Sequence, residues 1–123
     1  MDWLDYKNFE PYEFDCKHSG ENKMRPEFMQ KLQHLRDKFG KPMPINSGYR
    51  SPTHPIEARK SKPGKHAEGI AADIGVRGAD AVELLKLALE LGFTGIGIAQ
   101  KGGSRFIHLD ISTDENRPTI WSY

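Results

Sequence analysis

Cysteine is almost missing from this chain: Cys16 is the only one in 123 residues. An internal disulfide is therefore excluded, and so is a zinc knuckle built from paired thiolates. A metal held here has to be held by histidine and carboxylate. An excess of charge is missing too, because 18 basic residues face 17 acidic ones and the formal net charge is +1. That balance gives the chain as a whole no electrostatic pull toward nucleic acid or an anionic membrane, and neither is an expected partner. No apolar run reaches the ~18 residues a membrane helix needs, and there are no internal repeats or low-complexity stretches. The opening "MDWLDYKNFEPYEF" lacks the positive start and apolar stretch of a secretion signal, so no export signal is expected.

What is present fits one domain over residues 1–123, expected as a monomer and large enough to bury about two-thirds of its unfolded surface without staples. Residues 1–25 are polar, aromatic and broken by Pro and Gly, which predicts an irregular arm pinned to the body by Trp3, Phe9, Tyr12 and Phe14. From Pro26 to Phe39 the apolar Phe28, Met29, Leu32, Leu35 and Phe39 recur at steps of three and four, with Pro26 in the first turn and Gly40 just past the end. That spacing predicts a helix.

"MPINSGYRSP" reads as a strand of a few residues that stops at a turn. Residues 51–65, "SPTHPIEARKSKPGK", carry no hydrophobic period and predict a mobile basic loop. "GIAADIGV" predicts a strand with Asp73 inside it. In "GADAVELLKLALELGF" the expected helix has Asp80 as N-cap, Glu83 as its capping-box partner, an apolar face from Val82 through Leu91, and Gly92 as the stop. "TGIGIA", "QKGGS" and "RFIHLDI" together predict a hairpin. This order gives an α+β fold class: a small, mainly antiparallel sheet with two principal helices packed on it.

The last strand carries chemistry. Side chains alternate along it, so Ile107, Leu109 and Ile111 point to one face while Phe106, His108 and Asp110 point to the other. Upstream, "GKHAEGIAADIGV" holds His66 and Asp73 seven residues apart. A catalytic zinc takes three protein ligands and leaves a fourth position for water, and His108 completes such a set. Two imidazoles and one carboxylate suit Zn2+, and no thiolate is needed. The plainer alternative is that each histidine is a packed or surface residue, since the chain has five.

"SGYRSPTH", "HAEGIAADI" and "FIHLDI", in that order, resemble the zinc D-Ala-D-Ala carboxypeptidase family, whose relatives include phage endolysins, murein endopeptidases and the Hedgehog signalling domain. The resemblance covers residues 26–123. It implies a Hedgehog/D-Ala-D-Ala peptidase-like fold, a Zn2+ cofactor held by His66, Asp73 and His108, and hydrolysis of a peptide bond in the peptidoglycan stem or cross-link. Arg50 matches the arginine that binds and polarises substrate, with Ser47 and Tyr49 in the same motif. A planar guanidinium suits that role because it grips a carboxylate or carbonyl with two parallel hydrogen bonds. A structural ion pair at the base of the loop is the alternative for Arg50.

The family's best-studied members place an acid three residues before the last zinc histidine, where this chain has Arg105. Asp110, on the same strand face as His108, is the nearest substitute as general base. Its rival role is to orient His108. Glu68 is a second candidate base, or else a solvated loop residue. Two further departures flank the expected groove: Gly64 stands where the family has serine, and Pro55 where it has asparagine. His54 reads as a surface residue, and Cys16 with His18 as an incidental pair. Arg50, Arg59, Lys60, Lys62 and Lys65 form a basic rim suited to anionic wall polymers, or a solvated loop. Trp121 and Tyr123 are expected to pack the C-terminal tail or floor the groove.

Small size and the lack of a wall-binding module fit a phage lysin, released to the cell wall on lysis. The competing expectation is a non-catalytic zinc-stabilised module of the same fold that binds peptide or wall.

Overall fold

A computed structural model describes residues 1–62 and 64–123, so Pro63 of the predicted basic loop lies outside the described residues. The expected first helix is present as α1, Pro26–Phe39, with Phe28, Met29, Leu32, Leu35 and Phe39 buried along one face. It ends where the spacing said it would: Gly40 takes φ 69° and donates to the Arg36 carbonyl, a left-handed cap that glycine adopts without steric cost.

The remaining elements are β1 (Ile45–Ser47), α2 (Pro55–Ala58), β2 (Ala71–Ile74), α3 (Gly78–Glu90), β3 (Gly95–Ala99), β4 (Phe106–Asp110) and β5 (Thr119–Ser122). The strands form one sheet in the order β1-β2-β4-β3-β5. All pairings are antiparallel except β3 with β5, which is parallel. The α+β class with a mainly antiparallel sheet is as expected. The fifth strand was not foreseen.

One face of the sheet carries Ala72, Ile74, Ile96, Ile107 and Leu109 into a core shared with α1 and α3. The arm at 1–25 is part of that core. It holds two short 3-10 turns, Trp3–Asp5 and Pro11–Phe14, and buries Tyr6, Phe9, Phe14, Cys16 and Met24. Tyr12, expected as an anchor, is instead 74% exposed. Phe14 sits so close to Gly48 that a Cβ there would lie 2.7 Å from its Cα. The arm and the "SGYR" segment therefore fix each other.

Three local expectations are corrected. First, α3 begins at Gly78 with Arg77 as N-cap and no side-chain cap bond; Asp80 and Glu83 are both drawn away to the Lys41 ammonium, at 2.9 and 3.4 Å. Second, its buried face is Ala81, Leu84 and Ala88, while Val82 and Leu89 face solvent, because the small alanines let α3 approach the core closely. Third, the basic stretch holds a helical turn, α2, anchored by the buried Glu57. No helix among the described residues is long and apolar enough to cross a membrane.

Candidate metal centre

The other face of the sheet presents a single cross-strand row. Ser47 of β1 pairs with Asp73 of β2, Asp73 with His108 of β4, His108 with Gly97 of β3, and Gly97 with Trp121 of β5. Paired residues on neighbouring strands project to the same side. Sheet register alone thus aligns one carboxylate, one imidazole and one indole. The next row sets Asp110 against Gly95.

His66 arrives from a tight turn over residues 65–69 that precedes β2. Gly69 makes that turn possible: it takes φ 76°, and a Cβ there would lie 2.0 Å from the Lys23 carbonyl oxygen. No other residue fits so close to backbone. The Nδ1 of His66 is 2.8 Å from the Gly48 carbonyl. A carbonyl only accepts, so this nitrogen carries the proton and Nε2 presents a lone pair.

The three donors converge. Asp73 Oδ1 is 3.1 Å from His108 Nδ1 and 3.2 Å from His66 Nε2, and the two ring nitrogens are 3.2 Å apart. The far nitrogen of His108, Nε2, lies 2.8 Å from Asp110 Oδ2. It donates there, so Nδ1 also presents a lone pair. Two imidazole lone pairs and a carboxylate oxygen then point at one another with no hydrogen left to share. Only a cation satisfies that arrangement. Donors around a tetrahedral zinc with bonds of ~2.0 to 2.2 Å stand about 3.3 to 3.6 Å apart, within a few tenths of an ångström of this triangle. All three residues are buried, and they form the one His/Cys/Asp/Glu group among the described residues able to hold a metal ion.

Electrostatics agree with the geometry. Without the cation a shared proton bridges the triangle: burial alone would raise the Asp73 carboxyl, but hydrogen bonding with His108 and His66 outweighs it and holds the group well below the usual carboxylate range. Burial alone would lower His108, and the bonds to Asp110 and Asp73 reverse that, so its pKa rises. A proton is the cation His108 draws when no metal is bound.

Arg50 stands beside this triangle with every nitrogen engaged. Its Nε donates to Ser47 Oγ at 3.1 Å, Nη1 to Glu57 Oε2 at 3.3 Å and Nη2 to Asp73 Oδ2 at 3.3 Å. The fork keeps two further N–H bonds, and its side chain lines the groove. Ser47 holds Arg50 and is not a groove wall. Tyr49, offered by its motif for substrate, is 3% exposed and packs in the core, with its amide donating to the Phe14 carbonyl. It anchors the arm and cannot touch substrate.

Glu57 was missed. Its carboxylate is buried and takes hydrogen bonds from Arg50, from Lys60 at 3.1 Å and from the Gly64 amide at 2.7 Å. Burial would raise its pKa, and these three donors bring it below the usual value. The signal was available: Glu57 is the only acid among the residues from Arg50 to Lys65.

The two proposed bases also fall elsewhere. Asp110 has no exposed surface, and both oxygens are taken, by His108 and Arg117 Nη2 on one and by Arg117 Nε and the Ser112 amide on the other. It stands behind His108, at the nitrogen turned away from the other two donors. A general base has to reach the attacking water, and this carboxylate is placed to orient the ring instead. Glu68 pairs with Lys65 and opens onto a separate depression with Arg25 and Ser112. Cys16 is buried against Ser51, and His18 meets His54 edge-on; neither joins the metal group.

A groove of about 1020 Å³ opens over the triangle. It is lined by Lys60, Lys62 and Lys65, by an aromatic wall of Phe106, Trp121 and Tyr123, and by Asp114 and Glu115 of the 114–117 loop. Lys60 and Lys65 are already paired, with Glu57 and with Glu68 and Asp114, so the basic rim is partly neutralised.

A buried two-histidine, one-aspartate triangle on a mainly antiparallel sheet, open to a groove, defines a metal site of the catalytic kind, with three protein donors and room for a further ligand. The sequence pattern of the Peptidase M15 family matches residues 7–110, and the chain belongs to that family. M15 peptidases depend on zinc, and the donor set fits that ion, so the protein is a zinc metallopeptidase. No curated protein matches the chain. The family match stops at Asp110, leaving Arg117, Trp121 and Tyr123 outside it.

Proposed function

We propose that this metallopeptidase hydrolyses a peptide bond in bacterial peptidoglycan, in the stem peptide or the cross-link. The observation that carries the reading is Arg50, whose guanidinium is locked by Ser47, Glu57 and Asp73 and still faces the groove beside the metal donors. A fixed fork suits a peptide carbonyl or a terminal carboxylate, and Lys60 and Lys62 in the same groove suit the anionic groups of wall peptides. The likeness of the three motifs to those of phage endolysins supports action at the wall after host lysis.

The zinc held by His66, Asp73 and His108 would supply Lewis acidity toward the scissile carbonyl and a water acidic enough to deprotonate near neutral pH. Arg50 orients the substrate carbonyl. Asp110 keeps the His108 ring turned toward the other donors. The aromatic wall packs the substrate's apolar portion and excludes bulk water. Besides the metal donor Asp73, the acids that line the groove are Asp114 and Glu115, and a proton passing from water to the leaving amine would need one of them. Asp114 is tied to Lys65, which leaves Glu115 as the groove acid with no ion pair among the described residues.

Two observations favour a second reading, a zinc-braced module that binds wall peptide without cutting it: Arg105 replaces the usual acid, and Asp110 is locked away from the groove. Purified sacculi separate the two. Chelator-sensitive release of amines or alanine, with altered muropeptide masses, is the expected result. Sacculi that retain the zinc-loaded protein and keep an unchanged muropeptide profile would establish the binding module.

A further inference from the structure

Beyond holding Asp110, Arg117 has no role above and lies past the family match, yet its side chain is 9% exposed and lines the groove. It grips Asp110 with two prongs, Nη2 to Oδ2 at 2.9 Å and Nε to Oδ1 at 3.2 Å. Its guanidinium carbon also stands 5.1 Å from the Trp121 ring centroid. That indole in turn lies 5.1 Å from the His108 ring. The arginine therefore reaches His108 twice, through the carboxylate on Nε2 and through the indole beside the ring.

Both routes need empty space over β3, and two glycines provide it. A Cβ at Gly95 would lie 2.2 Å from Asp110 Oδ2, and one at Gly97 would lie 2.7 Å from Trp121 Nε1. Glycine weakens a strand unless another group has to approach closely. Here the approaching groups are the two that Arg117 contacts.

We propose that Arg117 is a positioning residue for the metal centre: clamping Asp110 and backing Trp121, it holds the His108 ring with Nδ1 turned toward His66 and Asp73. Without the arginine the Asp110 carboxylate keeps one bond on each oxygen, to His108 on Oδ2 and to the Ser112 amide on Oδ1, and nothing spans the two to fix its plane. A planar fork on both oxygens fixes the carboxylate plane and so the ring it holds. Lysine would keep the charge and lose the second prong, which separates geometry from electrostatics.

The test uses Arg117→Lys and Arg117→Gln in the whole chain. Zinc affinity is measured by competition with a chromophoric chelator, the visible spectrum is recorded for the cobalt-substituted proteins, and melting of each metal-free protein reports the fold. Both variants are expected to fold. Zinc affinity should fall on the order of 10-fold for Arg117→Lys and further for Arg117→Gln, within the range for groups that support a metal ligand. The cobalt bands should shift or broaden as the His108 ring loosens. A folded Arg117→Lys protein with wild-type zinc affinity and an unchanged cobalt spectrum would overturn the proposal. Failure of Arg117→Lys to fold would overturn it too, because the arginine would then serve the fold and not the ring. None of these readouts needs a substrate, so they stand apart from the peptidoglycan reading.

Discussion

Replacing Asp110 by asparagine changes one atom and puts the account of His108 at risk. In the native protein all partners of this carboxylate are donors: His108 Nε2 at 2.8 Å and Arg117 Nη2 at 2.9 Å on Oδ2, and Arg117 Nε at 3.2 Å and the Ser112 amide at 3.1 Å on Oδ1. The amide NH2 of asparagine has to take one of the two oxygen positions, and at either it faces donors. Breaking a buried ion pair by removing one charge costs about 3 kcal/mol or slightly more. A domain of ordinary stability survives that loss, with a melting temperature lower by roughly 10 °C. At the metal, the weakened hold on His108 Nε2–H should reduce zinc affinity by about 10- to 100-fold, or roughly 1.4 to 2.8 kcal/mol. Melting of the metal-free variant and chelator competition measure the two effects separately. A folded Asp110→Asn protein whose zinc affinity stays within about twofold of wild type would refute the orienting role, since supporting groups ordinarily contribute at least a factor of 10.

Three other outcomes are expected. Arg50→Lys should keep zinc but lower kcat/KM on wall peptides by about 10-fold or more, because a lysine cannot serve Ser47, Glu57, Asp73 and substrate at once; steady-state kinetics with zinc analysis checks this. Gly97→Ala should push the Trp121 indole out of the row, since the added carbon meets Nε1 at 2.7 Å, raising KM and, by removing the indole beside the His108 ring, lowering zinc affinity as well; indole fluorescence, kinetics and chelator competition report it. For metal-free protein, the raised His108 pKa means that its contribution to stability is complete below the unfolded value near 6.5 and is lost as pH rises through the folded value. Asp73 and Asp110 act oppositely: their lowered pKa values give stability that is present above the unfolded value near 3.8 and is lost only in stronger acid. Added zinc competes with the proton on His108, so the zinc-induced rise in melting temperature should be small at pH 5 and grow toward pH 8, as scanning calorimetry across that range will show.

Local pattern was enough for α1 and for the strand that carries His108; the triad it offered only alongside packed or surface histidines, and the resemblance of the three motifs chose between those readings. Steps of three and four mark a helix wherever it meets a core, and alternation along "FIHLDI" assigns His108 to a chemical face without knowledge of its neighbours. What stayed hidden depends on distant partners. Tyr49 shares a motif with Arg50, but Phe14, thirty-five positions upstream, draws it into the core. Asp80 carried a capping signal that Lys41 overrode. Glu57 looked like one acid in a solvated basic run until folding gathered Arg50, Lys60 and the Gly64 amide around it. Asp110 was equally compatible with a base and with an orienting group, and only the position of Arg117 behind it decided between them. β5 escaped notice because "TIWS" is short, lies beyond the last apolar alternation and gains its partner by parallel pairing with β3.

The account rests on a divalent ion shared by His66, Asp73 and His108. Elemental analysis of the purified chain after dialysis, alongside His66→Ala, Asp73→Ala and His108→Ala, addresses it directly. The expected result is close to one zinc per wild-type chain and almost none in each variant. Wild-type protein without stoichiometric transition metal, or any of the three variants retaining it in full, would contradict the account.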